Sequence, residues 1–354
     1  MKVVLVNNAF PALVRMINNV RMGRPLREAA LASILFAGAL LAVAVTVEAQ
    51  QPAKVPRIGF LSAASPSANT ARIEAFRQGL HELGYVEEKN IVIEYRYADE
   101  RFDRLPALAA ELIRLKVEVI VTSGAPSTRS AKEATSTSPI VMTQDPDPVG
   151  NGFVASLAHP GGNITGLSAL QPELSGKRLE LLKEIVPRLS RVAVFGTSTI
   201  PGSAESLRET ELAAGALGVQ LQYLDILSRK DIEPAFRAAK RGNADAVLAL
   251  GTSFILNSQR KQIAELAVKS RLPAIYYAAE WVEEGALMAY GVSYTDLAHR
   301  AATYVDKILK GAKAGDLPVE QPKKFELIIN LKAAKQIGLT IPPNVLARAD
   351  KVIK

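Results

Sequence analysis

Residues 105–143 read LPALAAELIRLKVEVIVTSGAPSTRSAKEATSTSPIVMT, and the pattern of this stretch decides the fold. Leu105, Leu108, Leu112 and Leu115 return at three- and four-residue steps, the spacing of an amphipathic helix. Val117–Thr122 and Pro139–Thr143 are short β-branched runs bounded by turn residues, the signature of strands. Strand, helix and strand in units this short imply parallel strands joined by right-handed crossovers. The strand runs are almost wholly apolar rather than alternating, as a sheet covered by helices on both faces requires.

The same unit recurs in both directions. Upstream, strands are expected at Arg57–Ser62 and Ile91–Tyr97, with Ile73, Phe76, Leu80 and Leu83 marking a helix between them. A second series follows Pro187: Val192–Phe195, Gln220–Asp225, Ala246–Leu250, Ala274–Tyr277 and Leu287–Tyr290. One of its helices is expected to open at the capping pattern Ser206-x-x-Glu209. His159–Leu174 is rich in Gly and Pro and reads as a crossing between the series. A helix over Tyr294–Lys310, a Gly/Pro break and the strand-like Phe325–Ile329 complete the chain. The expected fold class is therefore α/β: two Rossmann-like lobes with parallel sheets joined by a multi-stranded hinge. Residues 57–168 plus 292–324 would form lobe 1 and 169–291 lobe 2, with 325–354 as a C-terminal tail crossing the hinge.

The first 49 residues read as a secretory signal peptide. Ala29–Val47 is an uncharged apolar run preceded by Arg21, Arg24 and Arg27 and followed by Glu48-Ala49, a small-residue exit. Its 19 residues approach the ~20 that span a bilayer, so a retained anchor is the competing reading. Met22, just before Gly23-Arg24, offers an alternative start. Cleavage after Ala49 would leave a periplasmic chain of 305 residues, and removing five basic and two acidic side chains lowers the net charge from +8 to +5.

Composition excludes much chemistry. There is no cysteine, so there are no disulfides, thiolate metal sites or catalytic thiol. His81, His159 and His299 lie too far apart for metal-ligand spacing. Neither a GxxxxGK[ST] loop nor a G-x-S-x-G elbow is present, and the turn Leu61–Ser67 lacks the glycines of a dinucleotide fingerprint. No cofactor and no catalytic residue is expected. The basic residues are scattered among acidic ones, without the stripe that binds nucleic acid.

The turns after the strands do carry small hydroxyl residues: Ser62, Ser65 and Ser67; Thr122–Thr128; Thr197–Thr199; and Thr252-Ser253. Each could serve only as a helix N-cap. As a set they form loops at the carboxyl ends of strands, where open α/β sheets bind ligands and helix N-termini favour anions.

Asp145-Pro-Asp-Pro-Val-Gly-Asn-Gly-Phe-Val-Ala-Ser-Leu-Ala-His-Pro-Gly-Gly-Asn-Ile-Thr-Gly-Leu167 resembles the signature of an ABC-transporter substrate-binding family with the type 1 periplasmic-binding fold. Arg57-Ile-Gly-Phe-Leu, Gly79-Leu-His-Glu-Leu-Gly-Tyr85 and Ile329–Pro342 extend the likeness over the chain after residue 49. The resemblance implies two lobes that close on a small molecule and present it to a permease in the inner membrane, in a protein that is commonly a monomer. Some members resemble binders of tryptophan, tyrosine or phenylalanine. Carried over by position, Ser65, Ser123, Gly124, Ser127 and Asp145 would face the ligand from lobe 1, and Ser198, Ser253, Asn257 and Glu280 from lobe 2. For an amino acid, Ser65, Ser123 and Ser127 with loop N–H groups would hold the carboxylate, and Asp145 or Glu280 would pair with the ammonium. Phe254, Tyr277 or Trp281 could flank the side chain, although Trp281 equally suits packing. Where relatives often carry an acid after the third lobe-2 strand, this chain has Gly251–Asn257, so an ammonium would lack one partner. A sensor of lactose-repressor type lacks its helix-turn-helix here, and an exported enzyme would show turnover instead of stoichiometric binding.

Overall fold

The computed structural model describes residues 55–200, 202–251 and 254–354. The expected signal segment 1–49 and the site residue Ser253 lie outside the described residues.

The first sheet is built from β1 (Arg57–Ser62), α1 (Pro66–Glu82), β2 (Val92–Tyr97), α2 (Leu105–Arg114), β3 (Val119–Ser123), α3 (Ala125–Ala134), β4 (Ile140–Asp145) and β5 (Ile164–Ser168). Its five strands run in the order β2-β1-β3-β4-β5, and every neighbouring pair is parallel. The central strands β3 and β4 are buried along their whole length, as their apolar runs dictate.

The second sheet follows α4 (Gln171–Ile185). It contains β6 (Arg191–Gly196), α5 (Ser203–Leu217), β7 (Gln220–Asp225), α6 (Ile232–Arg241), β8 (Ala246–Ala249), α7 (Phe254–Ser258), α8 (Arg260–Lys269), β9 (Ala274–Tyr276), α9 (Ala279–Glu283) and β10 (Met288–Val292). The chain then returns as α10 (Tyr294–Leu309), which packs on α1 and β4 of the first sheet. It ends with β11 (Phe325–Asn330), α11 (Leu331–Ile337), α12 (Pro343–Leu346) and β12 (Lys351–Ile353). The seven strands order as β12-β11-β10-β9-β8-β6-β7; β11 is antiparallel to β10 and the other pairs are parallel. The chain thus passes between the sheets near Ala169–Leu170, Ser293 and 321–324, which makes the hinge multi-stranded.

Three local readings change. The stretch read as a crossing, His159–Leu174, contains β5 and the first turn of α4. Its glycines suggested loop, yet Gly166 sits at φ +130° inside the strand, where a Cβ would come within 2.2 Å of the Met142 carbonyl oxygen. The tail 325–354 does not itself cross: β11 and β12 extend the second sheet, and the crossing comes just before them. Helix α5 opens at Gly202, in the left-handed region, rather than at Ser206, whose hydroxyl is buried inside the helix without a partner.

The motif pieces have structural work to do. Asn163 donates to the carbonyls of Thr135 and Ser138, and Thr165 donates to Leu317 O at 2.6 Å, tying β5 to the preceding loop and to the returning chain. At Gly79, a Cβ on α1 would lie 2.4 Å from the His299 carbonyl oxygen of α10, so only glycine permits this helix crossing. Tyr85 fastens the same pair through its hydroxyl to Asp306 at 3.0 Å. Gly79→Val should therefore lower stability by about 1–3 kcal/mol through overpacking, measured as a lower urea midpoint with an unchanged m-value.

Candidate ligand-binding site

The carboxyl ends of β3, β4, β8 and β9 meet at one cleft. On the first-sheet side it is lined by Arg72, Gly124, Ala125, Pro126, Gln144 and Pro146; on the other by Ile200, Gly251, Asn257 and Tyr277. Ala169 and Tyr294, beside two of the crossings, form its floor.

Each wall has a local cause. Gly124 precedes α3 with φ +83° and ψ 159°, a conformation that favours glycine, and no side chain caps the helix. Pro126 brings no N–H and Thr128 N is taken by Gly124 O at 3.2 Å, so the first turn of α3 offers the N–H groups of Ala125 and Ser127 where the helix dipole favours an anion. Opposite, Gly251 leaves room for Gln171: a Cβ there would come within 2.0 Å of Gln171 Oε1. Tyr277 is backed by Trp281, whose ring is fully buried, stacks on Tyr276 at 4.2 Å and meets Tyr277 edge-on at 5.7 Å. Trp281 thus packs behind the wall and does not line it.

Arg72 is the charged residue of the lining. It reaches from α1 to Glu280 on α9, with Nη2 2.7 Å from Oε1, and its guanidinium lies 4.4 Å above the centre of the Tyr294 ring. Burial works against the charge of Glu280, but the Arg72 guanidinium outweighs it and holds the carboxyl below its ordinary range. Glu280, expected to meet a ligand ammonium, is already engaged by an arginine from the other side.

The remaining expected residues divide. Gly124 and Asn257 line the cleft. Ser65 caps α1, its Oγ accepting from Ala68 N at 3.4 Å and lying 3.1 Å from Ser67 Oγ. Ser123 accepts from Gln144 Nε2 at 3.3 Å, and Ser127 is fully buried with no partner for its Oγ. Ser198 is exposed and bound to Asp225 through both its N–H and its hydroxyl. Asp145 is fully buried between two lining residues; its Oδ1 accepts from Asp147 N and Asn151 Nδ2, while Oδ2 has no partner. These bonds shape the 145–151 turn, the role its Asp-Pro-Asp-Pro sequence also suggested. Phe254 lies at the start of α7.

Sequence reasoning missed Arg72, Gln171, Arg178 and Tyr294. For Arg178 a signal existed: Leu174, Arg178, Leu182 and Ile185 share one helical face, and an arginine interrupts an otherwise apolar series. Arg178 is fully buried, donates from Nε to Tyr290 O at 2.7 Å and from Nη2 to Gln171 Oε1 at 2.8 Å, and leaves Nη1 without a partner. Among the described residues no group of His, Asp and Glu is placed to hold a metal ion.

Residues 58–353 match the model of the family described as ABC transporter substrate binding protein. The chain belongs to this family. Its members are substrate-binding proteins, and the fold is that of type 1 periplasmic binding proteins. A tyrosine-binding protein of Clostridioides difficile is 28% identical over 275 residues, covering 77% of this chain and 78% of that protein. The crystal structure of a conserved domain protein from Vibrio cholerae matches with a TM-score of 0.79 at 32% identity, over 84% of this chain and all of that one. A second structure, an ABC domain from Streptococcus pneumonia in complex with L-Trp, matches with a TM-score of 0.79 at 25% identity, over 84% and 99% of the two chains.

Asp145 yields a pH prediction. Burial pushes its carboxyl up from the ordinary 3.8 to about 7. The folded chain then holds a proton there that the unfolded chain has lost, so stability falls as pH rises from about 4 to about 7. Asp145→Asn should raise Tm by a few degrees at pH 8, with the gain vanishing near pH 4; equal Tm values at pH 8 would show that the carboxylate is solvated.

Proposed function

We propose that this protein is the solute receptor of an ABC importer, exported by a cleaved signal peptide, which closes two lobes on an aromatic amino acid or a related carboxylate and presents it to an inner-membrane permease. The observation that carries this reading is the cleft itself: an uncapped helix N-terminus at Gly124 faces the aromatic wall and floor of Tyr277 and Tyr294. Such a pairing suits a ligand with an anionic head and an apolar ring. The relatives that bind tyrosine and L-Trp have the same kind of ligand.

In this reading the lobes are the two sheets with their helices, α10 counting with the first. Arg72 and Glu280 join them across the cleft, so opening would separate an ion pair whose side chains are only 15% and 28% exposed. The α3 N-terminus at Gly124 and the Tyr294 hydroxyl would share the carboxylate, and Asn257 and Tyr277 would meet the other end of the ligand. No covalent step is required, and a monomer suffices.

Thermal unfolding tests the proposal directly. Protein unfolded and refolded to strip bound solute is heated with L-tyrosine, L-tryptophan, L-phenylalanine, L-leucine or myo-inositol. A ligand at about 100 times its Kd adds roughly 2.7 kcal/mol, so at least one aromatic amino acid should raise Tm by several degrees and be recovered unchanged. A shift with inositol alone would replace the ligand class, and chemical conversion of a panel member would overturn the receptor reading.

A further inference from the structure

Arg178 is a cation buried without a counter-ion. Among the described residues no carboxylate lies within ion-pair distance of it, and its titratable neighbours are the phenols of Tyr294, Tyr277 and Tyr290. Burial lowers its pKa to about 10, which leaves it protonated at neutral pH. A charge taken out of water and left unpaired is among the costliest arrangements a fold can hold. Arg72, the other cation nearby, is already balanced by Glu280.

Hydrogen-bond roles fix how that charge reaches the cleft. A guanidinium only donates, so Gln171 must turn Oε1 toward Arg178 and Nε2 toward Tyr294. The amide N–H bond at 2.9 Å then occupies the Tyr294 oxygen as an acceptor. The phenolic proton is left to be donated elsewhere, and Tyr294 lines the cleft floor. Burial raises the Tyr294 phenol to about 12, so it keeps that proton at neutral pH. None of the cleft-lining side chains is acidic.

We propose that the Tyr294 hydroxyl is the donor of an anion subsite in the cleft floor, with Arg178 acting through Gln171 as its buried counter-charge, so that the cleft selects small molecules bearing a carboxylate over their neutral analogues. This rests on the cleft being the solute site and names the ligand group it requires. Arg178 is a positioning residue here: it does not touch the ligand. It also bolts α4 to the Tyr290 carbonyl, so the test must separate charge from scaffolding.

Two variants do so. Tyr294→Phe removes one hydroxyl and keeps the ring beneath Arg72. Gln171→Glu places a carboxylate against Arg178 in nearly the same shape, which cancels the charge while preserving the contact. Binding of L-tyrosine, L-tryptophan, 3-phenylpropionate and the carboxamide of each is measured by calorimetry at pH 7.5 and low salt. Wild-type protein should bind acids at least tenfold more tightly than the matching amides. Tyr294→Phe should lose that preference with little change for the amides. Gln171→Glu should raise Tm, because it pairs a buried cation, and yet weaken acid binding about tenfold or more. A scaffold role predicts the opposite coupling, with stability and affinity moving together. Equal losses for acid and amide in Tyr294→Phe, or undiminished acid binding by Gln171→Glu, would overturn the subsite and leave the receptor reading standing. A wild-type protein that binds amides but no acid would also reject it alone; one that binds no panel member rejects both.

Discussion

One guanidinium fastens two of the three hinge passages to each other. Arg178 projects from α4, just beyond the first passage at Ala169–Leu170, and grips Gln171 at the start of that helix. Its other bond goes to the Tyr290 carbonyl in β10, just before the second passage at Ser293. Gln171 closes the loop by donating to Tyr294, the first residue of α10. The first passage is pinned from the other side as well, because Ala169 N and Gln171 N donate to the Asp145 and Pro146 carbonyls. Between those bonds Leu170 adopts φ +46°, a left-handed conformation a non-glycine residue holds only when its surroundings over-determine it. The junction of the two sheets is therefore a polar, strained and buried cluster.

The signature segment serves this junction. From Asp145 to Leu167, the side chains that bond do so to the protein's own backbone or to each other: Asp145 to Asp147 and Asn151, Asn163 to Thr135 and Ser138, Thr165 to Leu317. These contacts seat β5 beside β4 and hold the returning chain against it. They fix where the cleft is, while what fills it depends on residues outside the signature.

That division also marks how far the sequence could be read. The strands are short apolar runs and the helices repeat at 3.6 residues, so the two α/β series and their order are plain from residues such as Val119–Val121 or Leu105–Leu112. β5 was hidden because Asn163–Gly166 has the composition of a loop, and a glycine's need for close approach to Met142 is a tertiary fact. The hydroxyl-rich turns do lie at the carboxyl ends of the strands, but most of their serines serve local bonds, as Ser65 does for Ala68 and Ser198 for Asp225. Arg72, Gln171 and Tyr294 were invisible because each acts from a helix on a partner far away in sequence: Arg72 meets Glu280, and Gln171 meets Tyr294 behind the cleft lining. Only Arg178 left a trace, as a charge on an apolar face.

The layout separates affinity from closure. In the proposed receptor, residues at the sheet junction would move least as the lobes rotate, so the bonds a ligand makes to the floor would exist in open and closed forms alike. A group that binds both states equally shifts nothing between them. Contacts to Tyr294 would then set which charge is held and how tightly. Contacts to the walls, with Gly124 on one side and Tyr277 and Asn257 on the other, form together only when the lobes approach. The Arg72–Glu280 pair would favour that approach even without ligand, which would reduce the work left to the ligand. A short anion that reaches only the floor would bind without closing the lobes; one with an aromatic body long enough to touch both walls would close them.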